Sequence, residues 1–554
     1  IRDSLEQYEG MRITFPQALT VTEHFQLARF GEIVLSSGGR LFTPTNLIDP
    51  NDNPASGTNS TGTSNVAAVT AAQTANDLNK ILIDDGSTVQ NVNPVPYIDP
   101  VTKTLRIGST TTGLTGVLGF GFSNYRVQPT VAPTFAYAPR PLTPPSVNLT
   151  GTANVKVASF NVLNYFTTID NGSNNARGAD SAAEFTRQRD KIIGAIVQLN
   201  ADVVGLIEIE NNGATAIGDL VAGLNAVAGA GTYAAIVDPT GANGNSGTDA
   251  IKVAFIYKPG AVTPVGAAKY FNDPAFNTAR PPLAQTFSLN SNGEKFTPII
   301  NHFKSKGSSA GLPGDTDQGD GQGQSNATRK LQAAALLNFV TQMQTNSGDS
   351  DILILGDLNA YNEEDPIDIL RAGGLTKLTT TTDSFVFSGQ TGSLDHALSN
   401  STLLSQVTGV AKWNINADEP SALGFDDNIV TPSTGDFPIN DTTLYQPNPF
   451  RSSDHDPVLV GLNLRPAVVT PPPVTPPPTP GLTRSNNNIF TLVTSTALPS
   501  LQLTVSGRDT PSVNELGVLV VDNDQGAIGT FSPGQAGYLQ EAFRLGRGNI
   551  ILSA

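Results

Sequence analysis

The chain has 554 residues, of which 38% are hydrophobic and only 14% charged, with a formal net charge of −16 and no cysteine. That length is too great for one ordinary core and predicts about three units. The acidic balance excludes polyanion binding by bulk charge, and no apolar run approaches the roughly 18–20 residues needed to span a bilayer.

Residues 1–145 read as an irregular, mainly β accessory region. Short β-like runs such as Met11-Arg-Ile-Thr-Phe and Glu32-Ile-Val-Leu are separated by long Thr/Asn/Ser/Gly/Pro loops. A soft boundary falls at 139–148, where four prolines cluster. From 150 to 465 strands and helices alternate. Strands are predicted over 155–160, 202–209, 252–257, 296–301, 352–355 and 458–462. A helix over 184–199 places Ile192, Ile193, Ile196 and Leu199 on one face, and another over 326–343 turns Leu331, Ala334, Ala335 and Phe339 inward. This is an α/β or α+β sandwich pattern. Residues 466–481 carry eight prolines up to 480 and form a stiff polyproline-II spacer. Residues 482–554 alternate polar and apolar positions and read as a small β-rich, surface-associated domain. The first residue is Ile1 rather than Met, as in a processed or partial chain. The polar, weakly charged composition suits an exported protein with long surface loops. The expected location is extracellular or the bacterial cell surface.

In the middle region each polar cluster ends or follows an apolar strand, where a rigid scaffold aims side chains into one cleft. Asn161 follows Val-Ala-Ser-Phe, Glu208 sits in Val-Val-Gly-Leu-Ile-Glu, and His302 follows Pro-Ile-Ile-Asn. Asp357 and Asn359 close Ile-Leu-Ile-Leu-Gly-Asp-Leu-Asn, Asp395 lies in Gly-Ser-Leu-Asp-His, and Asp454 and His455 lie in Ser-Ser-Asp-His-Asp-Pro-Val. The protein has four histidines, and three of them (His302, His396, His455) occupy these junctions. The oxygens of Glu208, Asp454 and Asn161 suit Mg²⁺ or Mn²⁺, with Ca²⁺ a candidate structural ion. Asp357 and Asn359 are placed to orient and deprotonate a water, and the histidines supply groups that protonate near neutral pH. Together these suit metal-assisted phosphoester hydrolysis.

The series SFNVLNY, VVGLIEIE, GDLNAY, GSLDHAL and SSDHDPV resembles, in order and spacing, the endonuclease/exonuclease/phosphatase superfamily. The strings DAIKVAFIYKP, NHFKSK and DTDQGDGQG resemble its large secreted bacterial nucleases. The resemblance implies an α+β, four-layer α/β/β/α sandwich of DNase I type. It also implies a secreted metal-dependent phosphodiesterase acting on DNA or RNA. In that frame Glu208 and Asp454 ligate the metal with Asn161 beside them. Asp357 and Asn359 handle the water, Asp395 holds His455 at the scissile phosphate, and His302 is a second acid/base. Where some relatives carry an Asp after the first motif's Asn, this chain has Leu163 and Asn164, which leaves metal stoichiometry open. The acidic loop also lacks the cysteines of secreted relatives, with Leu312 and Gln324 in their place. A second cation on Asp315, Asp317 or Asp320 is the expected substitute.

Weaker assignments complete the reading. Lys252, Lys304 and Arg187 are candidate phosphate contacts, though each is more often a solvated charge; Asp522 and Asp524 are a candidate cation loop, though a hairpin turn fits them equally well. His24 and His396 read as structural. Two competing functions stand beside the nuclease. One is a phosphatase or phosphodiesterase on other substrates; the other is a cell-surface or assembly protein built around this fold, with self-assembly contacts through the C-terminal domain.

Overall fold

The computed structural model describes residues 5–51, 60–431, 435–439 and 441–465, and within 482–553 only separate strands. The chain divides into two compact units, Ile1–Arg465 and Pro466–Ala554. In the second unit Leu482–Arg484, Ile489–Leu492, Leu501–Val505 and Ile550–Ser553 form one antiparallel sheet, and Thr510–Val513, Leu519–Asn523 and Gly526–Phe531 another. The proline-rich segment 466–481 and Asp524 lie outside the described residues, and Asp522 is described only as strand backbone.

Two six-stranded sheets form the centre of the first unit. One runs in the order Ala234–Ala235, Ile251–Tyr257, Val203–Glu210, Val155–Tyr165, Val458–Leu462, Val407–Lys412. The other runs Val262–Tyr270, Leu283–Leu289, Lys295–His302, Ile352–Asp357, Asp395–Ser399, Thr376–Lys377. Their strands are apolar on both faces because both faces are covered. Val155, Val157, Val458 and Val460 join Leu353, Leu355, Phe287 and Ile300 in the layer between the sheets. Their neighbours Ala158, Phe160 and Leu459 pack instead under the helices Ala182–Leu199 and Thr215–Ala228. Ile352 and Ile354 pack under Asn326–Ser347 and Asp365–Ala372. The result is helix–sheet–sheet–helix, the four-layer α+β sandwich expected. Gly205 lets the sheets approach closely, since a Cβ there would lie 2.6 Å from Ile300 Cδ1.

Local sequence explains the helix ends. The Ser181 hydroxyl accepts from the Glu184 amide, and the Glu184 carboxylate reaches back to the Asp180 amide, which together start the first helix. Asn200, at φ 50°, stops it. In the helix Asn326–Ser347 the inward face is set one step away from the expected one. Leu331 and Ala334 are exposed, while Ala333, Leu336, Val340 and Met343 are buried with Ala335 and Phe339. The reason is that polar residues hold the inward position of the first turns. Gln332 accepts from the Lys304 amide and donates to the Ala275 carbonyl, and Arg329 donates to the Gln324 and Gln322 carbonyls.

The N-terminal region builds an eight-stranded sheet between Arg12–Phe15 and Phe135–Ala136, together with the helix Val66–Leu78. It is tied to the sandwich by buried charge. Glu419, fully buried, accepts from Arg106, Arg140 and Thr104. His24 Nε2 lies 3.0 Å from the Asp418 carbonyl oxygen. A small sheet also crosses the join, with Gln390–Gly392 pairing on one side with Phe385–Phe387 and on the other with Leu41–Phe42.

Candidate active site

Strand register assembles one half of the site. Lys295–His302 and Ile352–Asp357 run parallel and set His302 opposite Asp357; Asp395–Ser399 runs antiparallel and sets Asp395 opposite Asp357. Three chemistry-bearing residues therefore lie in one row across the sheet end. Gly356, at φ 132°, is required immediately before Asp357, because any side chain there would run into the Asn301 carbonyl.

The facing sheet supplies the other half through irregularity. Asn161 pairs with Ile207, and the register then slips on both sides of the strand Val203–Glu210. Leu163, Asn164 and Glu208 all adopt left-handed backbone conformations (φ 54°, 51° and 68°). Such strain persists only where the surroundings over-determine it, and bulges re-aim side chains. Here the Asn161 amide donates to Glu208 Oε1 at 3.1 Å, and the Asn164 backbone N–H donates to Oε2 at 3.0 Å. Asp454 and His455 precede the strand Val458–Leu462.

The side chains converge on Asp357 Oδ2. Its partner oxygen Oδ1 accepts from the Asn359 amide at 2.8 Å. Oδ2 lies 3.5 Å from His302 Nε2 and 4.0 Å from His455 Nε2, and His302 Nε2 lies 3.9 Å from Glu208 Oε1. These gaps are too long for good direct hydrogen bonds, and they let one water or substrate oxygen beside them touch two of the groups at once. His455 Nδ1 donates to Asp395 Oδ2 at 2.7 Å, and the Asn359 side-chain amide donates to the Phe303 carbonyl at 3.2 Å.

Burial and neighbouring charges divide the protons. Burial works against protonation of His455, yet Asp395 and Asp454 prevail and hold it well above the ordinary histidine range. Burial likewise works to raise Asp395, but the His455 imidazolium holds that carboxyl below its usual range. The pair is an ion pair at neutral pH. Burial pushes Asp357 up to about 7, against the pull of His455. Burial, then Arg280 and His455, hold His302 well below its usual range, so it is neutral. A protonated and a neutral histidine thus flank a carboxylate poised near neutrality, an acid/base arrangement.

The donor set fits a hard divalent cation. Glu208 is raised by burial and then by the charge of Asp454, a repulsion that a cation between them relieves. Among the described residues no three His, Cys, Asp or Glu groups form a ready cage. Glu208, Asp454 and the Asn161 amide are the residues that would hold the cation.

The structure brings Asn161, Glu208, His302, Asp357, Asn359, Asp395, Asp454 and His455 into one cluster. Lys304, two residues past His302, feels Arg280's charge and donates its ammonium to Ser308 Oγ at 3.0 Å. Other expected contacts are not in the cluster. Lys252 is 1% exposed and spends its ammonium on Asp238 and the Gly213 carbonyl, so it is a buried structural cation rather than a phosphate contact. Arg187 pairs with Asp427 at 2.6 Å and donates to the Phe425 carbonyl. Asp315 ties its loop to the following helix, accepting from Thr328 N, Thr328 Oγ1 and Leu312 N at 2.7–3.0 Å. Asp317 and Asp320 each cap a turn, accepting from Gly319 N and Gln322 N. His396 is buried on the Ala360 carbonyl, at 2.8 Å.

Sequence reasoning missed Arg280 and Arg177. Asp249 bridges them, 3.5 Å from Arg280 and 3.3 Å from Arg177. Arg280 is buried, donates to the Phe303 carbonyl at 2.9 Å and leaves its Nε without a partner. Its place three residues before the strand Leu283–Leu289, ahead of two prolines, was the available signal. Two cavities share Arg177. One of about 890 Å³ includes Asn164, Glu184 and Arg451 in its lining, and one of about 1090 Å³ includes Asn211 and Asp249.

Comparison with known proteins gives two family matches. Residues 158–455 match the model of the Endonuclease/Exonuclease/phosphatase family, and residues 2–138 match a domain of unknown function (DUF8508). No curated protein matches the chain. Similar solved structures include an endonuclease/exonuclease/phosphatase from Bacteroides vulgatus, 15% identical over 56% of this chain and 99% of that one, with a TM-score of 0.35. A mannosyl-6-phosphatase of Bacteroides thetaiotaomicron is 13% identical over 56% and 99%, TM-score 0.34. TDP2 of D. rerio, complexed with a single-strand DNA product, is 12% identical over 56% and 98%, TM-score 0.34.

Proposed function

Because the chain belongs to the endonuclease/exonuclease/phosphatase family, whose members hydrolyse phosphodiesters or phosphate esters, we propose that it is a metal-dependent phosphodiesterase that cleaves DNA or RNA outside the cell. The observation that carries the hydrolytic reading is the convergence of a neutral His302 and an ion-paired His455 on Asp357 Oδ2, with Glu208 Oε1 3.9 Å from His302 Nε2. The nucleic-acid and extracellular parts are supported by the resemblance of the motif strings to secreted bacterial nucleases.

A divalent cation bound by Glu208, Asp454 and Asn161 would supply a charge clamp on the phosphate and acidify a water. The remaining work belongs to the chain. Asp357 Oδ2 accepts the proton of the attacking water while the Asn359 backbone amide fixes Oδ1. His455 presents its Nε2 proton toward the phosphate oxygens, held charged and oriented by Asp395. His302 stays neutral and lines the same gap. The Arg280 guanidinium adds positive charge beside Glu208 and Asp357.

Incubation of plasmid DNA and of RNA with Mg²⁺, Mn²⁺ or Ca²⁺ tests the proposal. Cleavage that EDTA abolishes, and that Asp357→Ala or His455→Ala removes, is expected. Hydrolysis of small phosphoesters with no cleavage of either nucleic acid would overturn the nuclease reading, and normal cleavage by both variants would overturn the site.

A further inference from the structure

The hairpin that joins the two parts of the first unit carries a column of aromatic rings out of the site. Strand Phe385–Phe387 turns back through Ser388 and Gly389, both at positive φ (49° and 74°), into Gln390–Gly392. Two-residue turns of this kind fit the strand twist and are tight. Phe385 and Phe387, two apart, share a face, and their rings stack at 6.4 Å and 9°. The inner ring, Phe385, lies 4.6 Å from the His455 imidazole. The outer ring, Phe387, is 65% exposed. The only tryptophan, Trp413, is fully buried on the Pro141 carbonyl and cannot take part.

The N-terminal region fixes this hairpin. Thr391 pairs with Phe42, and its carbonyl accepts from Thr43 N at 2.9 Å. Asn76 Nδ2 donates to Gln390 Oε1 at 2.7 Å, and Lys80 Nζ donates to the Ser388 carbonyl at 3.2 Å. An exposed phenylalanine is therefore held in place from outside the sandwich, at the end of a stack that starts on the catalytic imidazole.

We propose that Phe387, backed by Phe385, is a stacking platform for a nucleobase beside the scissile phosphate, and that the substrate is accordingly a single strand. This rests on the nucleic-acid reading above. A single strand has unpaired base faces to offer, whereas a duplex keeps its faces internally stacked. The charge argument points the same way. A chain of net charge −16 gains little from bulk attraction to phosphates, so stacking, which is sequence-tolerant and independent of net charge, supplies affinity instead. The N-terminal region then acts as the positioning element of that platform.

The test uses a single-stranded oligonucleotide and the same oligonucleotide with abasic residues flanking the cleaved bond. Phe387→Ala is expected to raise KM for the intact strand about tenfold or more, and its effect is expected not to add to that of the abasic residues. Phe387→Trp restores KM. In an Asp357→Asn background, which retains substrate, 2-aminopurine beside the scissile bond is quenched on binding, and adding Phe387→Ala relieves the quench. Phe122→Ala, a substitution at an exposed phenylalanine of another hairpin, leaves all readouts as in the wild type. Additive losses, or a quench that survives Phe387→Ala, would overturn the platform while leaving the nuclease reading intact. Failure of the wild type to cleave any strand while it hydrolyses small phosphoesters would overturn the nuclease reading itself.

Discussion

Replacing Asp395 with asparagine probes the proton arrangement most sharply. The substitution keeps shape and removes one charge. In the native chain the Asp395 carboxylate is 2% exposed and sits 2.7 Å from His455 Nδ1, itself in a ring 6% exposed. Breaking one side of a buried pair costs about 3–5 kcal/mol, largely because the other charge is left uncompensated. His455 escapes that cost by losing its proton, since burial already works against the charged form. The enzyme then pays in the transition state, where the imidazolium is needed at the phosphate. At about 1.4 kcal/mol per tenfold, the expected fall in kcat is roughly a hundred- to a few-thousandfold. Thermal stability changes much less, because the histidine neutralises. The assay is hydrolysis of bis(p-nitrophenyl) phosphate with saturating Mg²⁺, alongside a melting curve. A folded Asp395→Asn protein whose kcat stays close to the wild-type value would refute the reasoning.

Further outcomes are expected elsewhere. Glu419→Gln removes the buried carboxylate that Arg106 and Arg140 share and leaves the buried Arg106 with Asp418 alone; it should lower unfolding free energy by about 3 kcal/mol, and a urea transition moved by less than about 1 kcal/mol would contradict this. His24 falls from an ordinary 6.5 to about 4 through burial. Its unfolded form therefore binds the extra proton between those pH values, and folding stability drops as pH falls through that window. His24→Asn should remove about 3 kcal/mol of the loss between pH 7 and pH 4, and an unchanged slope would contradict the buried neutral histidine. Lys252→Met should lower the melting temperature yet leave KM for nucleic acid within about twofold; a large rise in KM would restore Lys252 to the phosphate contacts.

The site was legible where a strand announces its own end. Ile352–Asp357 is an apolar run that delivers Asp357 to the sheet edge, and the same holds for His302. Such runs fold as buried strands whatever surrounds them, so the residue that closes each run is placed by local pattern alone. Positions fixed by distant partners were not legible. Lys252 looks like any strand-flanking lysine until Asp238 and Gly213 fold over it. The acidic loop reads as a cation site until Thr328 is seen to satisfy Asp315. Leu331 reads as inward because it is apolar and Gln332 is not, yet Gln332 has backbone partners on that side while Leu331 is exposed. The hairpin Phe385–Gly392 is fixed by residues 41–43, 76 and 80. No spacing rule connects segments more than 300 residues apart.

We propose that Glu208, Asp454 and Asn161 hold a divalent cation at a site where Asp357 and the two histidines act on a phosphodiester. The most direct test is the rate of oligonucleotide cleavage against Mg²⁺ concentration for the wild type and for Glu208→Gln. The expected result is no cleavage in EDTA, recovery with added Mg²⁺ or Mn²⁺, and a Mg²⁺ requirement about 10- to 100-fold higher in the variant. Cleavage that persists in EDTA, or a variant with the wild-type Mg²⁺ dependence, would contradict it.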